Sequence, residues 1–411
     1  MRRLRTRSAR ALAGCALTAV LLSGCAAGGS GDHAPSSSGE SLGFDDAALS
    51  RVGFADPQQL TQPSHGITVT GARGLSERAA ELAVSTDQVS AEAPGGRNSV
   101  VVITPQDYDP AKKYPVVYLL PGSGATEAPA LQWYEAGQAE QLTQGLPVIT
   151  VIVSGGKVGW YSDWASQEEL TQNWETFHQD QVVPRVEPHL STRADREHRV
   201  IIGNSMGGYG AMRYAEQRPD LFGEAVSLSG LLDLSSDEAK QTIATGSQEA
   251  TGRTDSVFGN GSVTTEEQWR ANDPAVRSGE LKSVHVQLFA GRGDGQEGDI
   301  EPALKDTTVT MARELESQGV DYQYTEYGQA GQCNGGHEFP CWTPAATVAL
   351  GRWADRVRRR SRPWPKRSRS AGSGTCGHCS RPRRSPTSRV RTDARSRRSP
   401  WRGASRPRRP C

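Results

Sequence analysis

The stretch Arg199-Val-Ile-Ile-Gly-Asn-Ser-Met-Gly-Gly-Tyr-Gly-Ala-Met212 decides the fold. Its β-branched residues predict a strand, and the residues after Ser205 predict a helix. Between them lies Gly203-Asn-Ser-Met-Gly207, a Gly-x-Ser-x-Gly motif in the strand-turn-helix context that it requires. Such a tight turn strains the serine backbone and excludes side chains two residues away. A chance match in a glycine-rich chain is the alternative, but the context favours Ser205 as a nucleophile, with the N–H of Met206 facing an oxyanion.

A nucleophilic serine needs a base, and the base needs an acid that orients it. His337 lies in a glycine-rich loop before the last helix-like stretch and is the predicted base. His285 lies inside a strand-like run and is interpreted as a packed histidine. The acid is left open between carboxylates of the loop that follows this run, where position alone favours Asp294.

The remaining parts of the predicted site come from two loops. The turn Pro121-Gly-Ser-Gly124 follows an apolar run, and the N–H of Ser123 is the candidate second oxyanion donor. Cys333 and Cys341 bracket His337, and a disulfide between them is the simplest prediction for an exported domain, with free thiols as the alternative. No cluster has the spacing of metal ligands, so neither a metal nor a cofactor is expected.

Strand-like and helix-like segments alternate between residues 63 and 357. The strand-like runs are residues 81–84, 99–104, 116–120, 148–153, 200–202, 225–228, 284–289 and 322–326. The helix-like stretches are residues 129–142, 170–190, 206–217, 302–318 and 344–357. The pattern predicts an α/β fold with a mainly parallel, doubly wound sheet and flanking helices. The Gly-x-Ser-x-Gly turn is the one found in α/β-hydrolases, so this is the fold type expected. Residues 231–283 are mostly polar and are interpreted as an insertion or lid.

The formal net charge of +1 conceals three regions. Of the 47 Lys and Arg and 46 Asp and Glu, residues 1–25 hold five Arg, and residues 361–411 hold sixteen basic residues and one Asp. Residues 26–360 therefore hold 26 basic against 45 acidic residues. An acidic domain of this kind gives no indication of nucleic-acid binding.

The first 25 residues have the pattern of an export signal, with several Arg before an apolar run too short to span a membrane. The run ends in Leu22-Ser-Gly-Cys25, which resembles a bacterial lipobox, so Cys25 is the candidate lipidation site. Cys15 fits the same pattern less well, and an ordinary secretory signal is the alternative. Residues 26–62 are rich in Gly, Ser, Asp and Pro and are expected to be a flexible tether.

Residues 358–411 are rich in Arg, Ser and Pro and are expected to be disordered. A polybasic segment for anionic lipid or polymer is one interpretation, and a frameshifted end is the preferred one, because the composition is typical of high-GC DNA translated out of frame. The motif Cys376-Gly-His-Cys379 lacks the βαβ unit that a redox role requires.

With these residues placed, residues 99–357 resemble the putative esterase branch of α/β-hydrolases, which includes esterase D-like enzymes and the secreted mycolyltransferases of the antigen 85 complex. The segments that carry the resemblance are Tyr114-Pro-Val-Val-Tyr-Leu-Leu-Pro-Gly122, Gly159-Trp-Tyr-Ser-Asp-Trp164, Asn173-Trp-Glu-Thr-Phe177, Gly203-Asn-Ser-Met-Gly207, Ser227-Leu-Ser-Gly-Leu-Leu-Asp233 and Asn272-Asp-Pro274.

The resemblance implies Glu297 as the acid, because the family has a Glu six residues after the strand-end glycine, and it implies His337 as the base. It also implies that Trp160, Tyr161 and Trp164 lie near the site and line an acyl groove, with ordinary core packing as the alternative.

The sequence departs from the mycolyltransferases at residues that serve trehalose binding. Their Asp and Arg are replaced here by Pro121 and Gly124, and the Trp after the catalytic His is Phe339. We therefore expect an exported serine esterase, acting outside the cytoplasm on a small-molecule or lipid ester and held to the membrane by its lipid anchor. The alternatives are an acyltransferase and a catalytically silent binding protein.

Overall fold

A computed structural model describes residues 42–361, except residues 92, 94–96, 125–127, 261–264 and 329–330. The expected signal segment with Cys15 and Cys25, and the tail from residue 362 with Cys376 and Cys379, lie outside the described residues.

A nine-stranded sheet forms the centre of the described region. Its strands are β1 (Ile67–Gly74), β2 (Ala79–Thr86), β3 (Ser99–Ile103), β4 (Val116–Leu120), β5 (Ile149–Val153), β6 (Arg199–Asn204), β7 (Glu224–Leu228), β8 (His285–Gly291) and β9 (Tyr322–Tyr327). They lie in the order β1-β2-β3-β5-β4-β6-β7-β8-β9. The six strands β5, β4, β6, β7, β8 and β9 run parallel. At one side of the sheet, β1, β2 and β3 pair antiparallel. The predicted mainly parallel sheet is confirmed.

Helices cover both faces of the sheet. They are α1 (Asp46–Val52), α2 (Pro57–Leu60), α3 (Leu131–Glu135), α4 (Ala139–Leu142), α5 (Trp174–Thr176), α6 (Val183–Val186), α7 (Met206–Gln217), α8 (Asp237–Thr251), α9 (Glu266–Ala271), α10 (Pro274–Arg277), α11 (Glu301–Gln318) and α12 (Phe339–Ser361).

Every residue of β4 is buried, and its side chains alternate between two cores. Val116, Tyr118 and Leu120 join the core that includes α7 and α11. Val117 and Leu119 join the core that includes α3, α4 and α12. A parallel strand covered on both faces is continuously apolar for this reason, and the apolar runs of the sequence indicated it.

Several predicted segments differ from the structure. The predictions missed β1, because its sequence mixes Gly, Thr and Arg and only some of its residues are buried. The predicted helix at residues 129–142 is broken into α3 and α4, since Gln138 takes a φ of 49° between them. The predicted helix at 170–190 begins only at Trp174 and passes through a π-helical turn, Phe177–Val182. Residues 231–283, interpreted as an insertion or lid, do lie between β7 and β8, and they include α8, a helix of 15 residues.

The prediction of a flexible tether over residues 26–62 is wrong for its second half. Residues 46–60 form α1 and α2, and Leu49, Val52, Phe54 and Leu60 are buried in the core beside β1. These four apolar side chains lie apart in a polar sequence, but their burial is sufficient to fix the segment to the domain. At the other end, α12 continues through Ser361, so residues 358–361 are helical rather than disordered.

No helix within the described ranges is both long and apolar enough to cross a bilayer.

Candidate active site

The turn between β6 and α7 carries Ser205 in the strained conformation that the motif predicts. Its backbone has φ 53° and ψ −123°, a region that non-glycine residues seldom adopt. A Cβ on Gly203 would lie 2.0 Å from the carbonyl oxygen of Gly207, and a Cβ on Gly207 would lie 2.1 Å from that of Leu120. Both glycines are therefore required by backbone contacts, and they allow Ser205 to stand at the carboxyl edge of the sheet.

His337 lies next to this serine. Its Nε2 is 2.8 Å from the Oγ of Ser205, although the two residues are 132 positions apart. The ring packs edge-on against Trp342, with 4.7 Å between the ring centroids. A disulfide joins Cys333 and Cys341, as predicted, and closes the loop that carries His337. Side-chain exposure of His337 is 17%, so the ring can be reached from solvent.

The carboxylate at His337 is Glu301, and not Glu297 or Asp294. Oε2 of Glu301 lies 2.7 Å from Nδ1 of His337, and the Glu301 side chain is completely buried. Glu297 and Asp294 belong instead to the loop between β8 and α11, where Glu297 is exposed and Asp294 accepts a hydrogen bond from the N–H of Gln296. This contact corrects the expectation that Glu297 or Asp294 orients the base.

The physical reason is the length and shape of that loop. Gly293, Gly295 and Gly298 all have positive φ, which turns the chain outward after β8. The chain then returns, and Glu301 begins α11 directly beneath Gly291, where a Cβ would lie 2.8 Å from the Cγ of Glu301. Counting residues from the strand-end glycine therefore missed the acid. Its position at the start of a helix that opens with Pro302 is the signal that could have found it.

The second oxygen of Glu301 is held by donors from three neighbouring strand ends. Oε1 accepts hydrogen bonds from the hydroxyl of Ser229 at 2.6 Å, from the hydroxyl of Tyr327 at 3.0 Å and from the N–H of Gly291. The indole of Trp342 in turn donates to Ser229. Burial and the charge of Glu301 raise the pKa of Tyr327, so this phenol remains a neutral donor. A buried carboxylate with both oxygens hydrogen-bonded in this way is fixed in position.

Sequence reasoning did not assign these supporting residues. Ser229 directly follows β7, and Tyr327 ends β9. Because the carboxyl ends of parallel strands meet at one edge, their positions after neighbouring strands were the available signal.

The two predicted oxyanion donors belong to the residue after Ser205 and to the turn that carries Gly122. Met206 is the first residue of α7, and N–H groups in the first turn of a helix have no acceptor within the helix. In the turn, a Cβ on Gly122 would lie 3.2 Å from the Cβ of Ser205. Ser123 follows in the same turn and is exposed.

Trp160, Tyr161 and Trp164 lie near the site but do not line a groove. Their exposures are 5%, 0% and 4%, and all three belong to the core that includes α7. Because their rings are packed inside the domain, the structure leaves no open face of them for an acyl chain. The alternative of core packing describes them correctly.

His285 begins β8, at the edge of the sheet opposite to Ser205, and its Nδ1 lies 3.2 Å from a carboxylate oxygen of Asp321. It is partly exposed rather than packed in the core.

The described part of the chain holds no group of three or more His, Cys, Asp or Glu that could bind a metal ion. Two surface pockets, one beside Arg270 and one beside Trp353, contain neither Ser205 nor His337. The chemistry of the side chains identifies the candidate site.

Comparison with known proteins agrees with this geometry. A family model described as "Putative esterase" matches residues 91–353. Esterase Rv1288 of Mycobacterium tuberculosis (strain ATCC 25618 / H37Rv) is 38% identical over 146 residues, which cover 35% of this chain and 32% of the relative. The match thus spans about a third of that relative's length.

Two further comparisons extend over more of the chain. The diacylglycerol acyltransferase/mycolyltransferase Ag85B of Mycobacterium avium is 27% identical over 249 residues, which cover 56% of this chain and 71% of the relative. The crystal structure of MPT51 (FbpC1) from M. tuberculosis matches with a TM-score of 0.52 and 22% identity, over 66% of this chain and 97% of that one. At this identity the structural match supports the fold alone, and it confirms the predicted α/β-hydrolase fold.

Proposed function

The chain belongs to the putative esterase family, and from this premise we propose that it is a serine esterase, which hydrolyses carboxylic esters through an acyl-enzyme on Ser205. The observation that carries the proposal is the unbroken series of contacts from Ser205 through His337 to Glu301. These are a nucleophile, a base and an orienting acid within hydrogen-bond distance of one another.

In the acylation step, the Oγ of Ser205 attacks the ester carbonyl while Nε2 of His337 takes the hydroxyl proton. The negative charge of Glu301 stabilises the imidazolium through Nδ1. The N–H groups of Met206 and Ser123 stabilise the oxyanion of the tetrahedral intermediate. When this intermediate collapses, the C–O bond to the alcohol breaks and His337 returns the proton to the leaving oxygen.

In the second step, His337 takes a proton from a water molecule that attacks the acyl-enzyme. Collapse of the new tetrahedral intermediate breaks the bond to Ser205, and the proton returns to Oγ. The products are a carboxylic acid and the free serine.

The test is turnover of p-nitrophenyl esters from acetate to palmitate by the wild type and by Ser205→Ala. We expect release of p-nitrophenol that depends on Ser205, and its dependence on chain length gives the acyl preference. A fluorophosphonate probe should label the wild type and leave the Ser205→Ala variant unlabelled. If the Ser205→Ala variant kept both turnover and labelling, Ser205 would be excluded as the nucleophile.

An acyltransferase is the second candidate, because Ag85B carries that activity in its name. The same acyl-enzyme would pass its acyl group to an alcohol instead of water. The replacement of an Asp and an Arg by Pro121 and Gly124 removes polar partners for a sugar acceptor, which favours hydrolysis. Acylated glycerol or trehalose among the products would establish transfer.

A catalytically silent binding protein is the third candidate from the sequence. The contacts among Ser205, His337 and Glu301 disfavour it, since a protein with no reaction to perform has no need to keep them. Absence of both ester turnover and probe labelling in folded protein would make it the leading interpretation.

We further propose that the folded domain is exported and anchored through a lipid on Cys25. The export-like first 25 residues and the lipobox pattern support this proposal. Metabolic labelling with a fatty acid, compared between wild type and Cys25→Ala, tests it. Equal labelling of the two proteins would exclude Cys25 as the anchor.

A further inference from the structure

Two consecutive aromatic residues beside the candidate site have strained backbones. Trp160 has φ 53° and Tyr161 has φ 44°. Positive φ is uncommon for bulky residues and persists only where the surrounding packing imposes it. Two of the four other non-glycine residues with positive φ in the described region are Ser205 and Ser229, so the strained residues gather at the candidate site.

Packing fixes the ring of Tyr161 completely. The residue is fully buried, and a Cβ on Gly210 would lie 2.4 Å from its Cγ. A Cβ on Gly155 would lie 2.3 Å from its hydroxyl oxygen. The ring therefore occupies a slot that exists because glycines stand on both sides. One of them, Gly210, belongs to α7, the helix that follows Ser205.

From this slot, Tyr161 reaches the turn that holds the candidate oxyanion donor. Its hydroxyl donates to the carbonyl oxygen of Pro121 at 2.7 Å. The N–H of the same peptide, which belongs to Gly122, donates to Oε1 of Gln132 at 2.9 Å. The peptide between Pro121 and Gly122 is thus held at both ends, and its plane cannot rotate without breaking one of two hydrogen bonds.

The next peptide, whose N–H belongs to Ser123, is joined to this fixed peptide through the Cα of Gly122. The N–H of Gly124 donates to the carbonyl oxygen of Lys157 at 3.2 Å and fixes the far side of the turn. The turn also lies close to the nucleophile, since a Cβ on Gly122 would lie 3.2 Å from the Cβ of Ser205. A preorganised donor costs no reorganisation when charge develops on the oxyanion.

We propose that Tyr161 is a positioning residue of the oxyanion hole, which aims the N–H of Ser123 by holding the carbonyl of Pro121. The inference rests on the proposed esterase function. It assigns to Tyr161 a role in stabilising the transition state, rather than in lining an acyl groove.

The test compares Tyr161→Phe with Tyr214→Phe as a matched control. Tyr214 belongs to the same buried aromatic cluster, and its hydroxyl contacts His178 and Trp174 but not the turn. Both variants lose one buried hydroxyl, so a general loss of stability should affect them alike. Gln132→Ala releases the other end of the peptide and is a second variant at a half-buried position, in case Tyr161→Phe does not fold.

Three quantities are measured: kcat and KM for p-nitrophenyl acetate, Ki for a trifluoromethyl ketone, and amide exchange of residues 119–124. The ketone forms a tetrahedral adduct with an oxyanion, so its affinity reports the oxyanion hole. Since deletion of one donor costs about 10²–10³-fold in kcat, we expect misdirection in Tyr161→Phe to lower kcat about 10-fold and raise Ki about 10-fold. KM should stay within about twofold, because a planar ester makes little use of these donors.

Amide exchange in the turn should accelerate in Tyr161→Phe and in Gln132→Ala and remain unchanged in Tyr214→Phe. Unchanged exchange in Tyr161→Phe would overturn the inference, and so would faster exchange with unchanged kcat and Ki. Equal losses in Tyr161→Phe and Tyr214→Phe would reduce Tyr161 to a structural residue. A wild type that neither turns over esters nor binds the ketone would refute the proposed function, and with it the role of Tyr161 in catalysis. Amide exchange in the turn would still report whether Tyr161 holds the turn.

Discussion

Replacing Glu301 by Gln tests the acid that the tertiary structure identifies. The change keeps the size of the side chain and removes its charge. The burial of Glu301 and the bonds to both its oxygens determine which way the new amide must face.

The orientation follows from counting donors. Oε1 of Glu301 accepts from Ser229, Tyr327 and Gly291, so the single oxygen of a glutamine amide must occupy this position. Its NH₂ group then faces Nδ1 of His337 and donates to it. A neutral imidazole that accepts at Nδ1 carries its proton on Nε2, where it cannot accept the proton of Ser205.

The magnitude can be taken from the general Ser-His-Asp template, in which the corresponding carboxylate-to-amide change lowers kcat about 10⁴-fold. For Glu301→Gln we expect a loss of about 10³–10⁴-fold in kcat, equivalent to about 4–5 kcal/mol of transition-state stabilisation. KM should change little, because Glu301 is buried beneath His337 and does not face the substrate.

The assay is hydrolysis of p-nitrophenyl acetate at neutral pH, with circular dichroism to verify folding. Glu297→Gln is the matched control, since this carboxylate is exposed. It should keep kcat within about twofold, because its side chain has no part in the contacts among Ser205, His337 and Glu301. The reasoning is refuted if Glu297→Gln abolishes turnover while Glu301→Gln keeps more than a tenth of it.

Three further predictions concern stability. Burial lowers the pKa of His178 from 6.5 to about 3, so only the unfolded state gains a proton on this residue as pH falls below 6.5. The free energy of unfolding should therefore drop by about 2 kcal/mol between pH 7 and pH 5. Urea unfolding of His178→Gln should lack this part of the pH dependence, and identical pH profiles of the two proteins would contradict the prediction. Replacing Cys333 and Cys341 together by Ser should lower the free energy of unfolding in urea by about 2–3 kcal/mol, and it should reduce turnover because their loop carries the base. No change in either quantity would show that the disulfide does not stabilise this loop. Gly207→Ala should prevent accumulation of folded protein, because the new Cβ would lie 2.1 Å from a backbone oxygen of β4. Gly351→Ala in α12 places its Cβ in open space and should raise the free energy of unfolding by about 0.5–1 kcal/mol. Equal soluble yields and melting temperatures of the two variants would disprove this prediction.

Local patterns in the sequence predicted the centre of the fold. The strand, turn and helix around Ser205 are encoded within 14 consecutive residues. The requirement for glycine at 203 and 207 follows from short contacts of that same turn. The apolar runs predicted the parallel strands because a strand covered on both faces must be apolar throughout. Even His337, distant in sequence, was recognised from its glycine-rich loop before the last helix.

The acid and the supporting residues were decided by tertiary structure. The outward turn of the loop after β8 exposes Glu297 and brings Glu301, rather than Asp294, to His337. Residue spacing does not record how a loop returns. In the same way, the burial of four scattered apolar residues fixes residues 46–60 to the core. The space left by Gly155 and Gly210 allows the ring of Tyr161 to be buried between them. Sequence determines a local conformation where neighbouring residues impose it, but contacts between distant segments depend on how loops close and cores pack, which only the folded chain specifies.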